Sequence, residues 1–203
     1  MRPLGSVRAR VLRALAAALA VAILLGGALC LAVEVWGDQP IVKQVVVRLF
    51  TRNFGQVSDG VYRSDQIHRP WLGWVWKTQR FRTVVNLAWS GTAVDLAEER
   101  LMTSRGVIYR KFSWTPVGPP SPEEVRDALA VLDGAPRPLL VHCRAGRDRT
   151  GGLVGIWRLG HGASLEEVKR DWEVFGTPTI GWQRAVEEAS RQGPSGQQKI
   201  GSP

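Results

Sequence analysis

The stretch that most constrains the fold is PLLVHCRAGRDRTGGLVGIW, residues 138–157, because three local patterns follow one another in it. PLLVH is a short apolar run with the composition of a buried strand. A basic loop that contains a glycine follows, and TGGLVGIW then has the composition of a buried helix. A strand that leads through a short loop into a helix is the start of a βαβ unit, so this stretch predicts a sheet covered by helices.

The same alternation extends along the rest of the chain. Three more runs have the length and composition of strands: VYRS (61–64), TVVNLA (83–88) and VIYRKF (107–112). Between them, VDLAEERLMTS (94–104) has apolar residues at helical spacing. Ser121 with Glu124, and Ser164 with Glu167, form capping boxes at the starts of two further helices. We therefore predict an α/β protein with a central, mostly parallel sheet flanked by helices.

An apolar segment without a single charge occupies residues 14–33. As a helix with a rise of about 1.5 Å per residue it would be about 30 Å long, which is the thickness of the hydrocarbon core of a bilayer. Four arginines precede it, and no acidic residue occurs before Glu34. We predict a single transmembrane anchor with an inside N-terminus and the remaining chain across the membrane, and a cleaved signal peptide is the alternative.

Composition divides the chain further and limits its partners. We expect five segments: a basic segment 1–13, the anchor 14–33, a juxtamembrane connector 34–52, a catalytic domain 53–190 and a disordered polar tail 191–203. The net charge is +9, but the arginines before the anchor supply much of the excess. The rest suits an anionic substrate, and we expect no nucleic acid partner. Two cysteines do not make a disulfide framework.

The loop after PLLVH carries the chemistry. Ligands bind at the carboxyl ends of the strands in such a sheet, and Cys143 directly follows this strand. The helix that begins near Thr150 offers unpaired N–H groups and a partial positive charge to an anion. The partial positive charge of the helix N-terminus and nearby cations lower the pKa of a thiol. The planar guanidinium of Arg149 can donate two parallel hydrogen bonds to a phosphate. These groups together predict attack by a thiolate on a phosphoryl group.

The residues of the loop fit the pattern H-C-x-x-G-x-x-R-T-G: His142, Cys143, Gly146, Arg149, Thr150 and Gly151. The pattern resembles the cysteine-dependent protein tyrosine phosphatase superfamily in its dual-specificity branch. The chain is similar to the small bacterial members that have an N-terminal membrane anchor. FGQVSDGVYRSDQ, TVVNLAWSG and VIYRKFSW resemble the entry segment, second strand and loop-leading strand of that family. The resemblance therefore covers about residues 53–190.

The resemblance implies a two-step mechanism without a metal or cofactor. Cys143 would attack phosphorus to form a phosphocysteine, and water would then hydrolyse this intermediate. Arg149 and the loop amides would hold the phosphoryl oxygens, Thr150 would stabilise the departing thiolate, and His142 would orient the loop. The other positions implied in substrate binding are Arg144, Ala145, Gly146, Arg147 and Gly151.

One part of the family pattern is absent. The family places an aspartate general acid on a movable loop, whereas this chain has FSWTPVGPPSPEE after the corresponding strand. Asp148 is the candidate acid, as suspected for the equivalent aspartate in the myotubularin branch. It could equally pair with Arg144 or Arg147, or cap the following helix. A third alternative is that no protein acid acts and that activity is limited to good leaving groups.

Four functions are compatible with these residues. The first is a phosphatase of phosphotyrosine or mixed phosphoprotein substrates, membrane-bound through residues 14–33, in a bacterial inner membrane with the catalytic domain outside the cytoplasm. The second is a phosphatase of a phosphoinositide or another phosphorylated small molecule. The third is a catalytically inactive module that binds phosphorylated ligands. The fourth is rhodanese-type sulfur transfer, which the Arg-Thr-Gly helix start disfavours.

Overall fold

The computed structural model describes residues 4–36, 51–67, 75–76, 78–89 and 91–201, and it divides the chain into two compact units, residues 1–46 and 47–203. The first unit contains helix α1, Leu4–Trp36. Within α1, Val11–Ala28 has a mean hydropathy of 2.2 and is long and apolar enough to cross a membrane. This is a statement of length and composition, and a signal sequence at this position would meet it too.

The second unit is built on one five-stranded sheet with the strand order β1-β2-β5-β3-β4. Its strands are β1 Gly55–Ser58, β2 Val61–Ser64, β3 Thr83–Asn86, β4 Ile108–Lys111 and β5 Leu139–His142. β5 pairs in parallel with β2 and β3, β3 pairs in parallel with β4, and only the β1–β2 pair is antiparallel. The mostly parallel sheet is confirmed. β1 was not predicted, because Val57 is the single β-branched residue in GQVS, and the strand forms through pairing with β2 across the turn at Gly60.

In the part of the chain that the structure describes, the longer helices beside the sheet are α2 Ala93–Thr103, α3 Pro122–Gly134, α4 Asp148–Gly160, α5 Leu165–Phe175 and α6 Ile180–Gly201. Both capping boxes are confirmed, since Ser121 and Glu124 bond reciprocally at the start of α3, and Ser164 and Glu167 do so at the start of α5. In WLGWVWKTQR (71–80), residues 75–76 and 78–79 are helical, and positions 71–74 and 77 lie outside the described residues.

The last helix extends to Gly201, into the segment 191–203 for which the composition predicts a disordered tail. α6 runs through residue 190, where the polar tail was expected to begin, to Gly201. Gly193 interrupts it with φ 66° and ψ 175°, a conformation that glycine adopts without steric cost. The helical backbone after Gly193 is therefore a separate short helix and does not continue along the axis of the helix before it.

Helix α4 lies in the middle of the fold and positions the end of β5. All four residues of β5 are buried, and so is nearly every residue of α4. Gly152 on α4 faces Trp182 of α6, whose ring is fully buried. A Cβ atom at position 152 would collide with the Trp182 ring. The glycine thus permits the close approach of α6 to the helix that carries the basic loop.

We expect Gly152→Ala to destabilise the protein by about 1–3 kcal/mol, because the added methyl group overpacks a dense interface. Thermal unfolding followed by circular dichroism measures the effect. Gly134→Ala is the matched control, since it lies at the end of α3 with no atom within 4 Å of the added Cβ. The control should be neutral or stabilising by up to about 1 kcal/mol. Equal melting temperatures for the two variants would contradict the packing argument.

Candidate active site

Cys143 lies at the carboxyl end of the central strand, directly before the loop that leads into α4. Its side chain is fully buried. Burial alone raises the pKa of a thiol, but the Thr150 hydroxyl, the Thr150 backbone N–H, the Arg149 charge and the Ala145 backbone N–H all favour the thiolate. These groups outweigh burial, so the pKa of Cys143 is lowered below its ordinary value. The site therefore favours an ionised sulfur.

The Thr150 hydroxyl can donate a hydrogen bond to the Cys143 sulfur. It is buried and has no partner of ordinary hydrogen-bond geometry among the described residues. An ionised Cys143 sulfur supplies the acceptor that this hydroxyl otherwise lacks, and their interaction is the largest of those that lower the thiol pKa.

We expect Thr150→Val to raise the pKa of Cys143, because the thiolate loses a hydrogen-bond donor while the shape of the side chain is kept. The rate of alkylation by iodoacetamide, measured against pH in a Cys30→Ser background, reports on Cys143 alone. The variant should react more slowly than the parent at low pH and equally fast at high pH. Thr150→Ser should restore the parent profile. A midpoint that does not move in the valine variant contradicts this role.

Arg149 joins the basic loop to the segment after β4. Its guanidinium is buried, and its Nη1 atom donates a hydrogen bond to the backbone oxygen of Trp114 over 2.8 Å. The Nε atom has no partner among the described residues. Trp114 is itself buried and its ring lies 5.8 Å from that of Trp182. Arg149 is thus held in one orientation, with donor capacity left for an oxyanion.

The carboxylate of Asp148 is largely engaged by its neighbours. Its Oδ1 atom accepts a hydrogen bond from the Thr179 backbone N–H over 2.9 Å, and Arg147 approaches both carboxylate oxygens at 3.3 and 3.4 Å. Thr179 in turn donates through its hydroxyl to the backbone oxygen of Pro116 over 2.8 Å. Of the two pairings considered for Asp148, the structure shows the one with Arg147. Its proton-donor role is compatible with this position and stays a prediction.

His142 contacts a buried polar cluster on the side of the sheet that α2 covers. Its Nε2 atom lies 3.3 Å from Oε1 of Glu98, and both side chains are almost fully buried. Burial lowers the pKa of the imidazole, but the Glu98 carboxylate outweighs this and raises it. Asn86 donates to Glu98 and Asp95 over 3.2 and 2.8 Å. The cluster consists of Asn86, Asp95, Glu98, Tyr109, Lys111 and His142.

Glu98 and Asn86 are residues of this site that the sequence did not single out. The signal for Glu98 was its place in α2, one residue after Ala97 and three before Leu101, on the apolar side of the helix. An acidic residue at a core-facing position needs a buried partner, and His142 supplies it. Of the predicted substrate-binding positions, Arg144, Ala145 and Arg147 are exposed, whereas Gly146 and Gly151 are buried.

A cysteine at the carboxyl end of a central parallel strand, followed by backbone donors, a buried arginine and a helix start, defines the class of cysteine-dependent phosphatases. Residues 55–197 match the family model described as DSP-PTPase phosphatase fused to NAD+ kinase. The match covers more than half of the chain, and the protein belongs to this family of dual-specificity-type phosphatase domains.

Curated relatives agree with this assignment. The chain is 33% identical over 128 residues to inositol diphosphatase DSP3 of Arabidopsis thaliana, a match that covers 60% of the chain and 61% of DSP3. It is 33% identical over 135 residues to OCA1 of Mycosarcoma maydis, provisionally named a tyrosine-protein phosphatase, covering 58% of the chain and 78% of OCA1. The chain therefore spans less than two thirds of the length of DSP3.

The fold is also that of solved phosphatases. The catalytic core of the PP-IP phosphatase SIW14 from S. cerevisiae, solved with citrate, superposes with a TM-score of 0.60 and 20% sequence identity. The superposition covers 73% of this chain and 94% of SIW14. The predicted fold class and the predicted membership of the cysteine-dependent phosphatases are confirmed.

Proposed function

We propose that the protein hydrolyses phosphomonoesters through a phosphocysteine intermediate on Cys143. The observation that carries this proposal is the buried Cys143 thiol, whose pKa is lowered although burial opposes ionisation. A structural cysteine in a core gains nothing from a thiolate, whereas a nucleophile requires one.

The chemistry proceeds in two displacements. The Cys143 thiolate attacks phosphorus, the bond to the ester oxygen breaks, and the leaving oxygen takes up a proton. Water then attacks the phosphocysteine, inorganic phosphate leaves, and the sulfur departs as a thiolate that the Thr150 hydroxyl stabilises. Arg149 and the loop N–H groups bind the phosphoryl oxygens most strongly as negative charge develops on them in each transition state.

Asp148 is the proposed source of the proton for the leaving oxygen. We expect Asp148→Asn to lower kcat about 10²–10⁴-fold for an alkyl phosphate and little for an aryl phosphate with an acidic leaving group. Asparagine keeps an oxygen that accepts the Thr179 N–H, so the anchoring role survives while the proton is lost. The measurement is kcat for the two esters against pH. Equal losses for both would assign Asp148 an anchoring role alone.

The test of the overall proposal uses the full chain purified in detergent and an aryl phosphate as substrate. Release of phosphate that orthovanadate inhibits competitively is the expected result. Binding of vanadate without turnover would instead support the module that only binds phosphorylated ligands. Transfer of sulfur from thiosulfate to cyanide, with no phosphate release, would support the rhodanese-type reaction and contradict the proposal.

A second candidate substrate class is a polyanionic small molecule such as an inositol diphosphate. Arg144 and Arg147 are exposed beside the buried Cys143 and supply cations beyond the one needed for a single phosphoryl group. Relatives named inositol diphosphatase and a structural neighbour named PP-IP phosphatase favour the same class. A phosphotyrosine or dual-specificity phosphoprotein substrate requires only the buried part of the site.

The two classes are separated by comparing a phosphotyrosine peptide with a diphosphoinositol polyphosphate. For the polyanion we expect Arg144→Gln to raise KM severalfold while kinetics with the aryl phosphate stay unchanged, because Arg144 would meet distal phosphates only. If kcat/KM is higher for the peptide than for the diphosphoinositol polyphosphate, and Arg144→Gln changes the KM of neither substrate, a phosphoprotein is the substrate.

We propose further that residues 14–33 anchor the protein in a bacterial inner membrane with the catalytic domain outside the cytoplasm. The apolar window Val11–Ala28 supports a membrane span, and the four arginines before residue 14 support this orientation. Fusion of a reporter that is active only outside the cytoplasm to Pro203 tests it. A reporter that is inactive contradicts the orientation, and release of the product into the soluble fraction indicates a cleaved signal peptide.

A further inference from the structure

The segment that precedes and includes β2, residues 53–66, runs beside the loop 143–147. β2 pairs with β5 so that Arg63 lies opposite Val141 and Ser64 opposite His142. The chain after β2 therefore continues alongside the loop at the same edge of the sheet. We call residues 53–66, which are FGQVSDGVYRSDQ together with the preceding Asn53, the entry segment.

Three donors of the entry segment bind three consecutive backbone oxygens of the loop. The Gln66 backbone N–H donates to the Arg144 oxygen over 3.4 Å. The Asn53 side-chain amide donates to the Ala145 oxygen over 2.8 Å. The Arg63 Nη2 atom donates to the Gly146 oxygen over 2.6 Å.

This pattern fixes the direction of the loop amides. A trans peptide is planar, so its C=O and the N–H of the next residue point in opposite directions. When the oxygens of residues 144–146 face the entry segment, the N–H groups of residues 145–147 face the opposite side. Consistent with this direction, the Ala145 N–H donates to the Cys143 sulfur and so is among the groups that lower the pKa of the thiol.

Gly146 completes the contact between the two segments. Its φ of +66° lies in the left-handed region, and a Cβ atom there would come within 2.6 Å of the Ser64 oxygen and 2.7 Å of the Asp65 nitrogen. The loop therefore turns directly against the backbone of the entry segment, and only glycine fits both conditions.

Arg63 is a buried cation without a carboxylate hydrogen-bonded to it among the described residues. Its side chain stacks on the Phe175 ring with the guanidinium carbon 4.3 Å from the ring centre. Burial lowers its pKa to about 10, which leaves it charged at neutral pH. The acid whose charge acts on it most is Asp171, which is itself paired with Arg158. After Asp171, the Cys143 thiolate is the negative group whose charge most raises the pKa of Arg63.

We propose that Asn53 and Arg63 are positioning residues, which turn the N–H groups of Gly146 and Arg147 toward the oxyanion. The proposal rests on the proposed function, since it assigns the oxyanion to this loop. Neither residue contacts the substrate in this arrangement. Both act through the backbone of the loop.

The test uses the full chain in detergent and measures the affinity for orthovanadate by isothermal titration. Asn53→Gly removes the amide without strain, because Asn53 has φ 54° and glycine adopts that conformation freely. Arg63→Met removes the charge and the donor but keeps the length of the stem. Each variant should bind vanadate about 10-fold more weakly than the parent, which corresponds to about 1.4 kcal/mol.

Two controls match these changes. Gln56 lies in the same segment, but among the described residues its amide bonds only to the Ser58 oxygen. Arg137 also donates to backbone oxygens, those of Asp59 and Leu132, away from the loop. Gln56→Ala and Arg137→Met should bind vanadate as the parent does.

The pH midpoint of Cys143 alkylation is a second measurement, and it distinguishes a positioning role from a loss of folded structure. Arg63→Met should move the midpoint of Cys143 alkylation to higher pH, because a nearby positive charge is lost, and Asn53→Gly should leave it unchanged. Vanadate affinities equal to that of the parent, or equal losses in the controls, overturn the proposal while leaving the phosphatase function intact. A parent that neither binds vanadate nor releases phosphate overturns both.

Discussion

Replacement of Cys143 by serine should reduce phosphate release at least about 10⁴-fold, because the hydroxyl is not ionised at neutral pH and forms no phosphoenzyme. Orthovanadate should still bind, since Arg149 and the loop N–H groups remain in place. The measurement is the steady-state rate with an aryl phosphate, together with acid quenching of the enzyme after reaction with a ³²P-labelled ester. Labelled protein should be recovered from the parent and not from the variant.

The chain provides a matched control in its other cysteine, Cys30, which lies in helix α1. Cys30→Ser should retain the activity and the label of the parent. If Cys143→Ser keeps more than about a hundredth of the parental rate, another group attacks phosphorus, and the phosphocysteine mechanism is wrong.

Replacement of Arg149 by lysine should lower kcat about 10²–10³-fold, although the charge is conserved. Lysine cannot form two parallel hydrogen bonds to a phosphoryl group, and its single ammonium cannot also hold the Trp114 oxygen at its present place. The effect should be larger on kcat than on KM, because the bidentate contact strengthens as charge develops in the transition state.

The control for Arg149→Lys is Arg184→Lys, an exposed position on α6. Steady-state kinetics of both variants, with thermal melting to confirm folding, decide the outcome. A kcat within threefold of the parent for Arg149→Lys would mean that position 149 supplies only charge.

The sequence predicted the strand, loop and helix around Cys143 because the signals there are local. PLLVH is apolar and short, the glycine marks the loop, and the helix start follows within a few residues. The helix begins at Asp148, two residues before the predicted start near Thr150. Arg147 at the cap position makes no side-chain cap, so no capping pattern marked that boundary.

Contacts between distant segments were not predicted, because they depend on the register of the sheet and not on local composition. Asn53 and Ala145 are 92 residues apart in the chain, and their hydrogen bond exists only because β2 pairs with β5. The same holds for Thr179, whose bonds to Asp148 and Pro116 join three separate segments. No pattern in the sequence indicates such partners.

The buried polar cluster behind His142 has a consequence for the divergence of this chain from its relatives. Glu98 lies beside His142 and Asp95 is paired with Lys111, so each of these two acids has a basic partner. Loss of one of these four side chains leaves its acidic or basic partner unpaired in the core, which costs more free energy than the pair itself contributes. Substitutions in this cluster should therefore be accepted in compensating pairs, and homologous sequences should show acid and base at these positions gained or lost together.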